Sequence, residues 1–270
     1  MEPRERFRPF TNDSTTHIRL REPQLAAVIC QLRWPQLTAM EEELKPRALE
    51  FGRSLMEAYP VFSEAQQVSL TITADGVSQA QGDPVFGWSS PDSVWQISLT
   101  KRSVALSCFS FTANAEFADH LQTIIDKVHS HLPVAILDRV GLRYINRYDD
   151  ARVLADPSLF FDASALGYAA LPLDGVTLVA NVNQAGFQAE DVSLQARSGR
   201  VPAAQTFDPS LAPLPGPSWV VDLDAYVERR LVSSVETDMR LISKLADTAY
   251  DFFKLIAKPE LSRLFGGDAT

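Results

Sequence analysis

Cysteine is the scarcest chemistry in this chain: Cys30 and Cys108 are the only two in 270 residues. Both lie in apolar, strand-like runs, so they read as buried free thiols rather than as a disulfide or a reactive pair. That usage excludes a disulfide framework and suits a reducing cytoplasm. Long hydrophobic runs are missing as well, none approaching the ~18 apolar residues of a membrane helix. The opening Met-Glu-Pro-Arg-Glu-Arg-Phe-Arg lacks the apolar centre of a secretory signal. The expectation is a soluble, cytoplasmic protein with no membrane association.

Positive charge is also in short supply. Lys and Arg number 25 against 34 Asp and Glu, a net charge of −9, which disfavours a general nucleic-acid binder because phosphate affinity needs local positive charge. Catalytic signatures are absent: there is no Gly-x-Ser-x-Gly, no His-Glu-x-x-His, no phosphate-loop lysine and no dinucleotide glycine fingerprint. His120, His129 and His131 have neither the spacing nor the Cys or acidic company of a metal site. They read as solvated, and no metal or cofactor is expected. These absences lean away from an enzyme, although a site assembled from distant residues leaves no local trace.

What is present is an ordinary globular composition, 46% hydrophobic and 22% charged, with length enough for a sizeable core. Residues 1–22 read as a flexible arm. Residues 23–150 form an α+β half, and 151–270 a second α+β half with a long C-terminal helix, the two making one compact unit. Apolar density over Leu25–Trp34 predicts a central strand ended by Pro35. A helix follows, with capping-box spacing at Thr38 and Glu41 and an interruption at Pro46; its apolar side is Leu49, Leu55, Met56 and Tyr59. Val68, Leu70 and Ile72 alternate with polar residues, as do Trp95, Ile97, Leu99 and then Val104, Leu106, Cys108, which predicts an antiparallel meander. Phe117, Leu121, Ile124 and Val128 place a helix at about 114–131. Strands resume at 176–182, 192–197 and 219–226. Five prolines between 200 and 218 mark a long surface loop. Ser233 and Glu236 have capping-box spacing before a heptad-regular stripe from Val235 to Ile256, suited to a sheet or to a partner helix.

The fold class expected is α+β, an antiparallel sheet with long helices packed on one face. The halves suggest a repeated strand–strand–strand–helix unit.

The most telling segment is Asp138–Tyr148. Period two places Arg139, Gly141, Arg143, Ile145 and Arg147 on one face and Val140, Leu142, Tyr144, Asn146 and Tyr148 on the other. The outer two of the three arginines stand roughly 26 Å apart along such a strand, neighbours roughly 13 Å. They must meet something anionic. Asp222 and Asp224 share a face of the 219–226 strand and are natural partners for Arg143 and Arg147. Three arginines against two aspartates leave at least one for an anionic ligand or partner. On the opposite face, a buried Asn146 must complete its hydrogen bonds by bracing a bend or by contacting a ligand.

Three segments together resemble an uncharacterised, sporadically distributed bacterial protein family of about this length. They are Glu22–Pro35, the Arg139-Val140-Gly141-Leu142-Arg143-Tyr144-Ile145-Asn146-Arg147 strand, and Val221–Tyr226 with the helix behind it. The resemblance implies no activity; patchy distribution hints at a mobile or phage-defence setting. The first functional expectation is a non-enzymatic interaction or sensing protein that binds a protein partner or a small anionic ligand. The alternative is an enzyme or effector acting on a phosphate-bearing small molecule or nucleotide, with Arg139, Arg143 and Arg147 as clamp. A third reading is a homodimer joined through the helix 233–258.

Overall fold

Strands from both halves of the chain join in one antiparallel sheet. The computed structural model describes residues 6–13, 18, 20, 22–73, 76–172 and 174–266, without the side chains of 67–81. The Val68, Leu70 and Ile72 alternation therefore lies outside the described side chains. In chain order, β1 (Leu25–Arg33) is followed by α1 (Thr38–Glu42), α2 (Leu44–Arg53), β2 (Val61–Thr73), β3 (Gly76–Ser89), β4 (Trp95–Leu99), β5 (Ser103–Cys108) and α3 (Asn114–His131). Next come β6 (Ile136–Leu137), β7 (Arg139–Tyr148), α4 (Ala151–Ala155), α5 (Ala163–Leu166), β8 (Asn183–Ala189), β9 (Val192–Val201) and β10 (Ser218–Val227). The chain then runs through β11 (Leu231–Val232), α6 (Val235–Ile256) and α7 (Pro259–Leu264).

Nine strands form the main sheet in the order β2-β3-β4-β5-β1-β7-β10-β9-β8, while β6 and β11 make a small separate ladder. The fold is α+β, a large antiparallel sheet with several helices. Most helices are short; α3 (18 residues) and α6 (22 residues) are the long ones. Because β7 pairs with β1 on one side and β10 on the other, the two halves read from the sequence share a single sheet.

The stripe on α6 explains why that helix lies where it does. Ile242, Leu245, Ala249, Phe252, Phe253 and Ile256 are buried, and each large apolar side chain so placed contributes about 1.5–3 kcal/mol. The helix packs against β7, β10, β9 and α3, and its small Ala249 permits close approach. Much of the heptad stripe is therefore packed inside this chain. Trp34, Trp88 and Trp95 are buried in the same core, as are the free thiols Cys30 and Cys108.

Several local expectations are corrected. Pro46 divides the first helical region in two and sits in the opening turn of α2, where its missing N–H costs nothing. On the restarted helix Leu49 is exposed while Ala48 and Phe51 face the core, and in the turn after it Leu55 is buried and Met56 exposed. The cap of α6 lies one residue later than expected, at Ser234 with Thr237, because Ser233 donates to Asp238 instead. Residues 176–182 form no strand, and Val176, Val179 and Val182 are exposed. Of the N-terminal arm, the stretch 6–13 is anchored to α6. The Asp251 carboxylate accepts from Phe10 N at 2.7 Å and Thr11 N at 3.0 Å, and Phe10 packs edge-on against Phe252.

Candidate functional site

The two faces of β7 have different fates. On the arginine face, antiparallel register sets Asp224 directly opposite Arg143, and Asp222 opposite Ile145. The side chains nevertheless pair diagonally. Arg139 folds along its own strand across Gly141, where a Cβ would come within 2.5 Å of its Nη1. From there it donates to Asp224 at 2.9 Å and to Gln31 at 3.1 Å, with Tyr226 stacked 4.7 Å from the guanidinium. Only the lack of a side chain at residue 141 leaves that path open. Arg143 then takes Asp222, at 2.7 and 3.0 Å. The expected pairing of Arg143 and Arg147 with the aspartates is thus shifted one arginine along the ladder.

Two participants were not legible beforehand. Arg197 on β9 reaches the same Asp222 at 2.5 Å. The proline-rich loop folds back over the sheet, so that Asp208 meets Arg143 at 2.6 Å and the carbonyl of Ala212 accepts from Arg147 at 2.7 Å. Leu211 seals this with Ala27, Ile145, Val201 and Val220 in a second small core. What the ladder meets is largely the protein's own acids. The phosphate-clamp reading is left with Arg147, the arginine without a carboxylate partner among the described residues of the ladder. Burial lowers the Arg147 guanidinium below its usual range, against the opposing pull of Asp149.

Burial acts to raise Asp208, but hydrogen bonds from Ser210 and the charge of Arg143 outweigh it and hold the carboxyl below its ordinary range. A carboxyl lowered in the folded state stabilises above its unfolded pKa of about 3.9, and that contribution disappears as pH falls through the folded value. Asp208→Asn should therefore lose about 1 kcal/mol at neutral pH, and the gap to the parent protein should close in strong acid, as pH falls through the lowered folded value. Urea unfolding at both pH values checks this; a gap that persists in acid would mean that the carboxylate charge is not what holds the loop.

The other face of β7 floors a cleft. Tyr144 and Asn146 look into a cavity of about 1030 Å³ bounded by α3, α6 and the N-terminal arm. Its walls are mainly apolar, including Phe117, Leu121, Leu142 and Ile242. Asn146 is buried and donates through Nδ2 to the carbonyl of Val221 at 3.3 Å. Its Oδ1 and the hydroxyl of Tyr144 make no hydrogen bond among the described residues. Asn146 also sits opposite an irregularity in β1, where pairing slips between Leu25 and Ala27.

A second polar cluster has the composition of a catalytic triad without its geometry. Asp238 Oδ2 and Ser233 Oγ both approach His129 Nε2, at 3.1 and 3.3 Å. A triad needs the acid on one ring nitrogen and the nucleophile on the other. Here the group ties the end of α3 to the start of α6. His120 is stacked on Trp95 at 3.9 Å and hydrogen-bonded to Tyr59 at 2.5 Å, and burial lowers its pKa. Neither histidine is solvated as expected, because each sits in a packed aromatic or helix-terminal contact.

Compared with known proteins, the chain matches no family model and no curated sequence.

Proposed function

We propose that this chain is a non-enzymatic binding or sensing protein whose ligand occupies the cleft over Tyr144 and Asn146. The observation that carries the reading is a large, mostly apolar cavity with the Tyr144 hydroxyl and the Asn146 amide on its floor, the usual make-up of a small-molecule site. Its volume is at the upper end of the roughly 300–1,000 Å³ range for such sites. The arm supports a sensing role: Arg8 and Leu20 line the cleft while Phe7 and Phe10 are held by α6, so an occupant would touch the arm as well as the sheet. Membership of the sporadically distributed bacterial family, with a mobile or phage-defence setting, belongs to the same proposal and rests on the likeness of Glu22–Pro35, Arg139–Arg147 and Val221–Tyr226 with the helix behind it. No helix among the described residues is long and apolar enough to cross a membrane, and a soluble ligand or protein partner is proposed in preference to a bilayer.

The uncharged dye Nile red tests the location. It should bind saturably with a blue-shifted emission, and Ala246→Trp, which projects an indole into the cleft, should abolish that signal in a folded protein. Arg147→Gln, on the opposite face, should leave it intact. Binding that survives the cleft plug but is lost with Arg147→Gln would move the site to the arginine face and refute the cleft assignment.

A further inference from the structure

Arg8 is a buried cation with hydrogen-bonding capacity left over. Its side chain is 5% exposed and pairs with Asp247 Oδ1 at 3.4 Å. Nη1 carries both of its hydrogen bonds, to the carbonyls of Phe7 at 3.1 Å and Asp247 at 2.8 Å. Nε is buried with no partner, and Nη2 makes no hydrogen bond among the described residues. Tyr250 lies under the guanidinium at 5.2 Å. Such a group is costly to bury unless something accepts from it.

The Tyr144 hydroxyl lines the same cleft. Burial, with smaller contributions from Cys30 and from the Asp247 charge, raises its pKa well above the ordinary tyrosine range, so it stays a neutral O–H donor. Asp247 links the two, pairing with Arg8 and acting electrostatically on Tyr144. Among the described residues, Arg6, Arg8 and Asp247 are the charged ones that line the cleft. The spare donors of Arg8 beside the Tyr144 hydroxyl suit one negative charge. A dianionic phosphate would need more donors than a guanidinium already shared with Asp247 can offer, and a cation would be repelled.

Resting on the cleft reading above, we infer that the ligand is a monoanionic amphiphile, a carboxylate with an apolar aliphatic or aromatic body. The carboxylate accepts from Arg8 Nη2 and the Tyr144 hydroxyl, and the body lies along Phe117, Leu121, Leu142 and Ile242. A neutral amphiphile of the same shape fills the apolar part but leaves Arg8 unanswered, so charge and not size sets the preference.

Isothermal titration of the full chain with decanoate, decanol and decylamine separates these contributions, since the three share one apolar body. Decanoate should bind with single-site stoichiometry and about tenfold or more tighter than decanol, the margin of a charge-assisted hydrogen bond; decylamine should bind weakest. Tyr144→Phe, which leaves the arm untouched, should narrow the decanoate advantage, and Arg8→Gln should remove it. Because Arg8 also fastens the arm, the comparison of ligands on the unaltered protein stands without that variant. Equal affinity for decanol and decanoate would overturn the acidic head group while leaving the Nile red result, and hence the cleft, in place. No binding of decanoate at millimolar concentration by a protein that still takes up Nile red would overturn the amphiphilic carboxylate class. Loss of both signals would instead remove the cleft as the site.

Discussion

Asp222→Ala is expected to destabilise the protein by about 3–5 kcal/mol, the range for removing one partner of a buried ionic group. Asp222 is 1% exposed and is the shared acceptor of two arginines, Arg143 and Arg197. Taking it away removes a carboxylate from both guanidiniums. Asp208 remains for Arg143, but among the described residues Arg197 keeps only the Phe207 ring, 5.6 Å away. Asp222→Asn should cost less, because the amide oxygen still accepts. A double-mutant cycle with Arg197→Met should show coupling of about 1–3 kcal/mol. Urea unfolding measures all of these; a loss below about 1 kcal/mol for the alanine variant would mean that water reaches the arginines and that the ladder is a surface network after all.

Leu245→Asp should have the largest effect of any single α6 substitution and prevent stable folding. Leu245 is fully buried on a helix packed against β7 and β10, and an unpaired carboxylate there costs several kcal/mol out of a total stability of roughly 5–15 kcal/mol. Leu255, one of the exposed positions on the same helix, provides the contrast: Leu255→Asp should change stability by no more than about 0.5 kcal/mol. Circular dichroism and light scattering separate the alternatives. A well-folded, smaller species from Leu245→Asp would mean that the stripe joins two chains, contrary to its place in the core.

Much of the secondary structure was legible because periodicity reports burial directly. Phe117, Leu121, Ile124 and Val128 define α3, and all four are buried. The alternation through 139–148 separates β7 into the two faces that the sheet keeps. Local signals failed where a competing contact decided the outcome. The cap of α6 moved because Asp238 claims Ser233. Leu49 faces outward on the helix that restarts around Pro46, and Met56 lies exposed in the turn that follows it. Val176–Val182 is apolar enough to read as a strand, yet the sheet's edge strand β8 starts only at Asn183.

The arginine ladder shows the same division at the level of the site. That Arg139, Arg143 and Arg147 share a face, and that Asp222 and Asp224 offer them partners, follows from the two-residue repeat of a strand. Which aspartate meets which arginine does not, because it depends on register, on the open path over Gly141 and on a β9 residue that sequence spacing never connects to β7. Asp208 had no signal at all, since a proline-rich stretch reveals a loop but not the surface it returns to. The cleft was equally hidden. Tyr144 and Asn146 were readable as an inward-facing pair, but a cavity is a gap between α3, α6, the arm and the sheet, and only their packing creates it. Sequence determined the faces, because side-chain direction is a local property of the backbone. Tertiary structure decided what each face meets, because that is set by elements 241 residues apart in the chain and more, as between Phe10 and Asp251.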